Sequence, residues 1–267
     1  MIRLLRVCQA YLVRDVLMTT SYRLAFVMQI ASLGMSVFSL YFLSRLVGLH
    51  ESIAVYGGYF PYSVVGLAVV GFFMTGFRSF SAALRNEQTM GTLEAMLMTP
   101  ARISHIIIAT SIWKFFWSLL TAVFTIGAAV LFFDISFSGN YAASLVLLVL
   151  TTITFSCLGI LSASFIMVFK RGDPFGFFAG SLSFLLGGVA YPVEVLPGWL
   201  QKISQLLPIT HGLRGIRDVL LAGQTFSDVV PQILILLVFV AIGVPVSLWV
   251  FRKSYNFARR EGSLVHY

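Results

Sequence analysis

The sequence predicts an all-α membrane protein with six transmembrane helices, and three observations carry that prediction. The first is composition. Of 267 residues, 58% are hydrophobic and 10% charged, against roughly 25% charged in soluble domains, and the mean hydropathy is +0.93. A chain with so little polar surface takes the bilayer as its solvent. The second is the spacing of apolar runs. Uncharged stretches fall at 24–44, 52–77, 115–133, 135–169, 174–193 and 229–251, each near or above the about 20 residues a spanning helix needs. None alternates apolar with polar residues as barrel strands do. The third is the placement of bases, which fixes orientation.

With the N-terminus inside, inner segments carry Arg3, Arg6, Arg14, Arg23, Arg78, Arg85, Arg102, Lys170, Arg171, Arg252, Lys253, Arg259 and Arg260. Outer segments carry only Arg45, Lys202, Arg214 and Arg217. Bases concentrate on cytoplasmic loops, so both termini are expected in the cytoplasm of a multi-pass protein of the cell (inner) membrane. The formal charge of +8, which in a soluble protein would suggest nucleic acid, is read here as this positive-inside bias, and no nucleic-acid partner is expected.

The elements follow in order. In residues 1–23, Leu4, Leu5, Cys8, Tyr11, Leu12 and Val16 share one helical face, and Arg3, Arg6 and Arg14 the other. That pattern suits an interfacial helix, apolar side in the headgroup layer and bases toward anionic lipid; a soluble helix packed on a partner is the alternative. No cleavable signal peptide is expected, since the basic head is long and the apolar run after it is a full span. Residues 24–251 form the six-helix membrane domain and 252–267 a cytoplasmic tail, together one domain over 1–267 without repeats or linkers. The run 135–169 exceeds one crossing, so its start is assigned to an outer loop around Gly139 and Asn140. Residues 194–228 hold two short outer helices: one opened by Pro197, bearing Trp199, Leu200, Ile203, Leu206 and Leu207 and stopped by Pro208, the next from about Gly212 to Leu221, closed by Gly223. Such helices can re-enter the membrane and cap what lies beneath.

Several chemistries are excluded. A phosphate-binding loop needs a Gly-Lys pair, and the four lysines follow Trp113, Phe169, Gln201 and Arg252. These residues build no ATP site of that kind. His50, His105, His211 and His266 are scattered, so no metal site is expected, and Cys8 and Cys157 read as apolar fillers. His211 with Asp218 or Glu194 would be the one imaginable acid–base set; isolated polar residues in a structured loop more often cap helices, and no catalytic residue is assigned. Lys114 lies about 18 Å along its helix from Arg102, at 1.5 Å per residue. It either snorkels to the interface or faces a substrate path. Phe73, Phe77 and Trp117 are candidates for the same path, or core and lipid-facing residues.

Residues 86–100 read NEQTMGTLEAMLMTP and lie on the inner side between the second and third spans. Leu93, Met96 and Leu97 share a face, Thr92 can cap, and Pro100 limits continuation. A short crossing helix with apolar knobs and exposed Glu87 and Glu94 suits docking into a groove on a soluble partner; the alternative is a loop resting on lipid. This stretch resembles the signature of ABC transporter permeases of the type-2 exporter family: Glu87, then Gly91-Thr92-Leu93-Glu94, Met96-Leu97 and Thr99-Pro100. A second mark precedes the last span: Tyr191-Pro192, Leu196-Pro197-Gly198-Trp199-Leu200, Leu207-Pro208-Ile209-Thr210, Arg217 and Gly223. The resemblance covers nearly the whole chain.

It implies a permease subunit without catalytic chemistry, working as a dimer with a second copy of itself or a homologue. It also implies two copies of a separate cytoplasmic ATPase subunit that bind ATP and magnesium. Glu87, Gly91, Thr92, Leu93, Glu94, Leu97, Thr99 and Pro100 would form the ATPase-coupling helix, and residues 1–23 the connecting helix. Tyr191, Pro192, Pro197, Trp199, Pro208 and Arg217 would belong to outer gate helices. The exported substrate would be an amphipathic drug, antibiotic or lipid. A polysaccharide or glycolipid exporter is the alternative, and a non-transporting scaffold or intramembrane enzyme a more remote one.

Overall fold

The structure, a computed structural model, describes residues 2–47, 51–89, 103–133, 135, 137, 139–169 and 173–260. The described residues are helical, with no strand among them. The helices are α1 (Ile2–Ser21), α2 (Arg23–Leu46), α3 (Glu51–Ala54), α4 (Tyr59–Thr89), α5 (Ile103–Phe133), α6 (Tyr141–Phe169), α7 (Pro174–Leu186), α8 (Gly198–Gln205), α9 (Pro208–Leu220) and α10 (Val230–Arg260), with a 3-10 turn at Val193–Val195.

Burial ranks these elements. The apolar window of α4 is 67% buried, that of α2 only 6%. α4 is therefore the central helix, and α2 leans on α4 and α5 with most of its surface outward. α6 packs between α4 and α10, α5 lies beside α4, and α1 lies along α5. The main core joins Val65, Val69 and Phe73 of α4, Leu147 and Phe155 of α6, Leu213 and Ile216 of α9, and Leu236 of α10. A second cluster, with Val37, Phe60 and Ala129, fixes α2 to α4 and α5.

Five helices are long and apolar enough to cross a membrane: the windows Arg23–Leu46, Tyr59–Ala82, Ser111–Phe133, Tyr141–Phe169 and Val230–Phe257. The run 174–193 departs from expectation. Asp173 caps α7 by accepting the Gly176 N–H at 2.7 Å, and Pro174 occupies the first turn. The helix then stops at Leu186 after 13 residues, a rise of about 20 Å against an apolar thickness of about 30 Å. Gly187 and Gly188 follow, and Gly188 has φ +72°, a left-handed conformation that side chains with a Cβ resist. The apolar composition of 187–193 therefore belongs to a buried turn, which hydropathy alone does not distinguish from helix.

Other boundaries also shift. The run 52–77 divides into α3, a turn and α4, which starts at Tyr59. α6 begins at Tyr141, with Asn140 Oδ1 accepting the N–H groups of Ala142 and Ala143 at 3.0 and 3.3 Å. The loop expected around Gly139 and Asn140 is present. α9 starts at Pro208 rather than near Gly212: proline ends one helix and, with its fixed φ and missing N–H, opens the next.

Candidate functional site

Two polar assemblies stand out among the described residues, a cap at one end of the molecule and a cavity toward the opposite ends of α4 and α5. The cap is built on the break after α7. Its central side chain is Arg217, 2% exposed. Nη1 donates to the Gly188 carbonyl at 2.7 Å, Nη2 to Val189 at 2.8 Å and Nε to Tyr62 at 3.1 Å. The guanidinium also lies 3.5 Å from the centre of the Tyr62 ring, within cation–π range, and the Tyr62 hydroxyl donates to the same Gly188 oxygen at 2.8 Å. The turn beyond α7 leaves carbonyls that no helix satisfies, and Arg217 supplies a rigid fork of donors to them. Burial pulls Arg217 below the usual arginine value, opposed by Tyr62 and Tyr56; a guanidinium keeps its proton even so.

This clamp needs backbone contact. A Cβ on Gly66 of α4 would stand 2.3 Å from the Val189 oxygen and 2.4 Å from Arg217 Nη2, so only glycine lets α4 approach the turn. Beside the clamp, Tyr56 donates to Asp218 Oδ1 at 2.7 Å. Burial raises Asp218, and the hydrogen bond from Tyr56 opposes that rise; burial and then Asp218 raise Tyr56. Ser204 of α8 donates to the Leu186 carbonyl at 2.6 Å, and Thr210 of α9 donates to the Ser204 carbonyl at 2.8 Å. Tyr191 donates through its hydroxyl to the Leu185 carbonyl. Pro192 precedes the 3-10 turn and Pro197 precedes α8, while Trp199 stays 66% exposed. A cleft of about 310 Å³ opens between this cap and α3, bordered by Tyr56, Glu194, Gln201 and Arg214. His211 holds the Gln205 carbonyl at 2.8 Å and Asp218 holds Tyr56, so His211 and Asp218 form no acid–base pair.

The four residues proposed to line a path separate into two pairs. Phe73 and Phe77 are 0% and 2% exposed and pack against Phe155, with ring centres 5.6 and 6.3 Å apart; they are core. Lys114 and Trp117 face a cavity of about 570 Å³ between α2, α4 and α5. Lys114 Nζ donates to the Ser79 carbonyl at 3.4 Å, and Trp113 stacks on Trp117 at 6.3 Å.

The segments 1–23 and 87–100 are described in part. α1 is helical through Arg3, Arg6 and Arg14. Arg14 pairs with Asp15 at 2.9 Å and is exposed, while Cys8 is buried; the side chains of Arg3 and Arg6 lie outside the described residues. Glu87 falls in the last turn of α4, its side chain likewise outside them, and Gly91, Thr92, Leu93, Glu94, Leu97, Thr99 and Pro100 lie wholly outside. Sequence reasoning named Arg217 as part of the outer gate but not its partners Tyr62, Gly188 and Gly66. The Gly187-Gly188 pair inside the apolar run 174–193, which that reading passed over, is the sequence signal for the break they form around.

Five helices long and apolar enough to cross a membrane, with short helices and a buried arginine closing one end, define the class as a polytopic membrane protein. The family model for the ABC-2 type transporter matches residues 5–221, and the chain belongs to that family. It is 23% identical over 174 residues to the probable multidrug ABC transporter permease YbhR of Escherichia coli (strain K12), covering 65% of this chain and 47% of that protein. It is 27% identical over 104 residues to the linearmycin resistance permease protein LnrN of Bacillus subtilis (strain 168), covering 39% of this chain and 27% of that one. The matches thus span at most about half the length of these relatives.

Proposed function

We propose that the chain is the membrane-spanning permease subunit of an ATP-driven exporter, moving an amphipathic drug, antibiotic or lipid outward. The observation that carries this reading is family membership over residues 5–221 in a sequence with no Gly-Lys pair. The family is that of a transporter's membrane part, and in this reading the energy is supplied by a separate ATPase subunit. A cytoplasmic ATPase, in two copies with ATP and magnesium, docks on the crossing at 87–100. Glu87 and Glu94 meet its bases or free N–H groups, and Leu93 and Leu97 fill its groove. Charge-assisted bonds of this kind contribute about 1.5–3 kcal/mol each. The names of the relatives, one multidrug and one antibiotic resistance, support the substrate class.

The domain works as a dimer with a second copy or a homologous permease. In support, α2 is 6% buried, and a groove of about 630 Å³ between α2, α4 and α7 carries Ser32, Ser36, Ser39 and Ser63, small residues that let helices approach in a membrane. Both termini lie in the cytoplasm of the cell membrane, with α1 in the headgroup layer and α7 to α9 forming the outer end, so that α7 with its turn is a sixth, incomplete crossing.

The test is reconstitution. The tagged chain should co-purify with a phosphate-loop ATPase, hydrolyse no ATP alone, and drive ATP-dependent efflux with that partner. Glu87→Ala with Glu94→Ala should leave insertion intact and uncouple hydrolysis from efflux, or release the ATPase. Hydrolysis by the chain alone, or normal efflux and ATPase retention in the double variant, overturns the reading.

A further inference from the structure

The cavity between α2, α4 and α5 has a composition that a purely apolar path does not need. Arg78 and Lys114 both face it, and among the described residues neither is in an ion pair; the one salt bridge recorded there joins Arg14 to Asp15 at 2.9 Å. That pair lies within electrostatic reach of Lys114, the Asp15 carboxylate acting on it more strongly than Arg14. Two positive charges therefore border one cavity without a carboxylate in direct contact among the described residues. Ser79 also lines it. Ser79 is 2% exposed, and its hydroxyl has no hydrogen-bond partner, although buried hydroxyls are nearly always satisfied. Gln29 adds an amide from α2, and Trp113 and Trp117 add two indoles from α5.

The depth is also specific. Arg78 stands near the end of the window Tyr59–Ala82, and Lys114 near the start of Ser111–Phe133. α4 and α5 are neighbours, so both bases sit at the same edge of the apolar layer. Tryptophan favours that level as well. A side chain that only snorkelled would reach water; Lys114 instead turns to the Ser79 carbonyl at 3.4 Å, inside the helix pair.

We propose that this cavity is a binding site for the phosphate of an anionic amphiphile, held by Arg78, Lys114 and the Ser79 hydroxyl, with Trp113 and Trp117 against its glycerol or acyl portion. A phosphate offers acceptor oxygens to all three donors at once. Its volume of about 570 Å³ suits a headgroup with the first part of its chains. The chemistry fits either a membrane phospholipid or a free phosphate ion. The site rests on the inner placement of Arg78 and Lys114 in the reading above, but not on the ATPase or on dimerisation.

The test uses the full chain in nanodiscs. The sequence has four tryptophans; Trp199→Phe and Trp249→Phe leave the two in the cavity as the only emitters. Dibrominated phosphatidylglycerol or dibrominated phosphatidylcholine is introduced into a phosphatidylcholine background at equal mole fractions, and quenching is compared. Phosphatidylglycerol should quench with the higher relative association. Lys114→Gln and Arg78→Gln should each lower that preference by about fivefold, the equivalent of roughly 1 kcal/mol per base. Ser79→Ala should lower it less, and Lys202→Gln on the far side should leave it unchanged. Inorganic phosphate against chloride at matched ionic strength distinguishes the sources: displacement of the lipid identifies an aqueous phosphate site, and no displacement a lipid site. Equal quenching by the two lipids, or a preference that survives both Lys114→Gln and Arg78→Gln, overturns the proposal. Because the readout involves no nucleotide, its failure is separate from failure of the coupled-exporter reading.

Discussion

Arg217 Nη1 donates a 2.7 Å hydrogen bond to the carbonyl of Gly188, the residue at which the chain turns after α7. The two residues are 29 positions apart, and their contact joins α9 to the turn that stops α7. Since Nε of the same side chain reaches Tyr62, one guanidinium ties α9, the turn after α7 and α4 together.

Arg217→Ala should destabilise this end of the molecule strongly. It removes the donor to the Val189 carbonyl and leaves the Gly188 carbonyl only the Tyr62 hydroxyl, and a buried acceptor left unsatisfied costs about 1–3 kcal/mol. Thermal unfolding in detergent should show a midpoint many degrees lower. Arg217→Lys should recover only part of the loss, because an ammonium lacks the planar fork. An unchanged midpoint for Arg217→Ala would remove the clamp from the account.

Gly66→Ala tests the same contact from α4. Its Cβ would fall 2.3 Å from the Val189 oxygen, whereas a Cβ at Gly34 on α2 meets nothing within 4 Å. Gly66→Ala should lower the melting midpoint. Gly34→Ala should hold or raise it, since alanine is the better helix former by about 1 kcal/mol. Equal behaviour of the two variants would contradict the close approach.

The Tyr56–Asp218 bond gives a pH dependence. Burial raises Asp218 above its ordinary value, so the folded state holds this proton more tightly than the unfolded one. The contribution is fully present below the unfolded value, about 3.9, and is lost as pH rises through the raised folded value. Asp218→Asn keeps an acceptor for Tyr56 and does not ionise. Wild type should therefore lose stability relative to Asp218→Asn between pH 4 and pH 7, measured as paired melting curves. A constant difference across that range would refute the shift.

Orientation is tested by thiol labelling. In a background with Cys8 and Cys157 replaced, both of them buried, single cysteines at Tyr141, close to Gly139 and exposed, and at Lys202 should react with an impermeant reagent added outside sealed cells. One at Gln88 should react only after lysis. Labelling at Gln88 from outside would invert the topology.

Much of this molecule is legible in its residues because the bilayer imposes simple rules. Long uncharged runs became helices, Asn140 and Asp173 became caps, and Pro208 became a boundary. The run 174–193 misled because hydropathy reports the solvent a segment tolerates and not whether it continues as a helix. A turn whose carbonyls are satisfied by an arginine from elsewhere is as apolar in sequence as a span. Phe73 and Trp117 show a similar ambiguity: aromatic residues at helical spacing face a core or a cavity with the same pattern, and Phe73 is in the core while Trp117 borders the cavity.

By itself the sequence determined the solvent, the helical class, the positive-inside bias and the two marks of the family, since each depends on composition or on neighbours close along the chain. Only the tertiary structure decided that Arg217 is buried against Gly188 and Tyr62, that α7 stops at Leu186, and that Arg78 and Lys114 share one cavity. Those outcomes depend on pairs 29 to 155 residues apart for Arg217, and on the packing of α4 against α5 for the cavity. A charge or a glycine has no partner until the helices are packed, and it is the packing that converts a polar residue in an apolar chain into a clamp or a binding site.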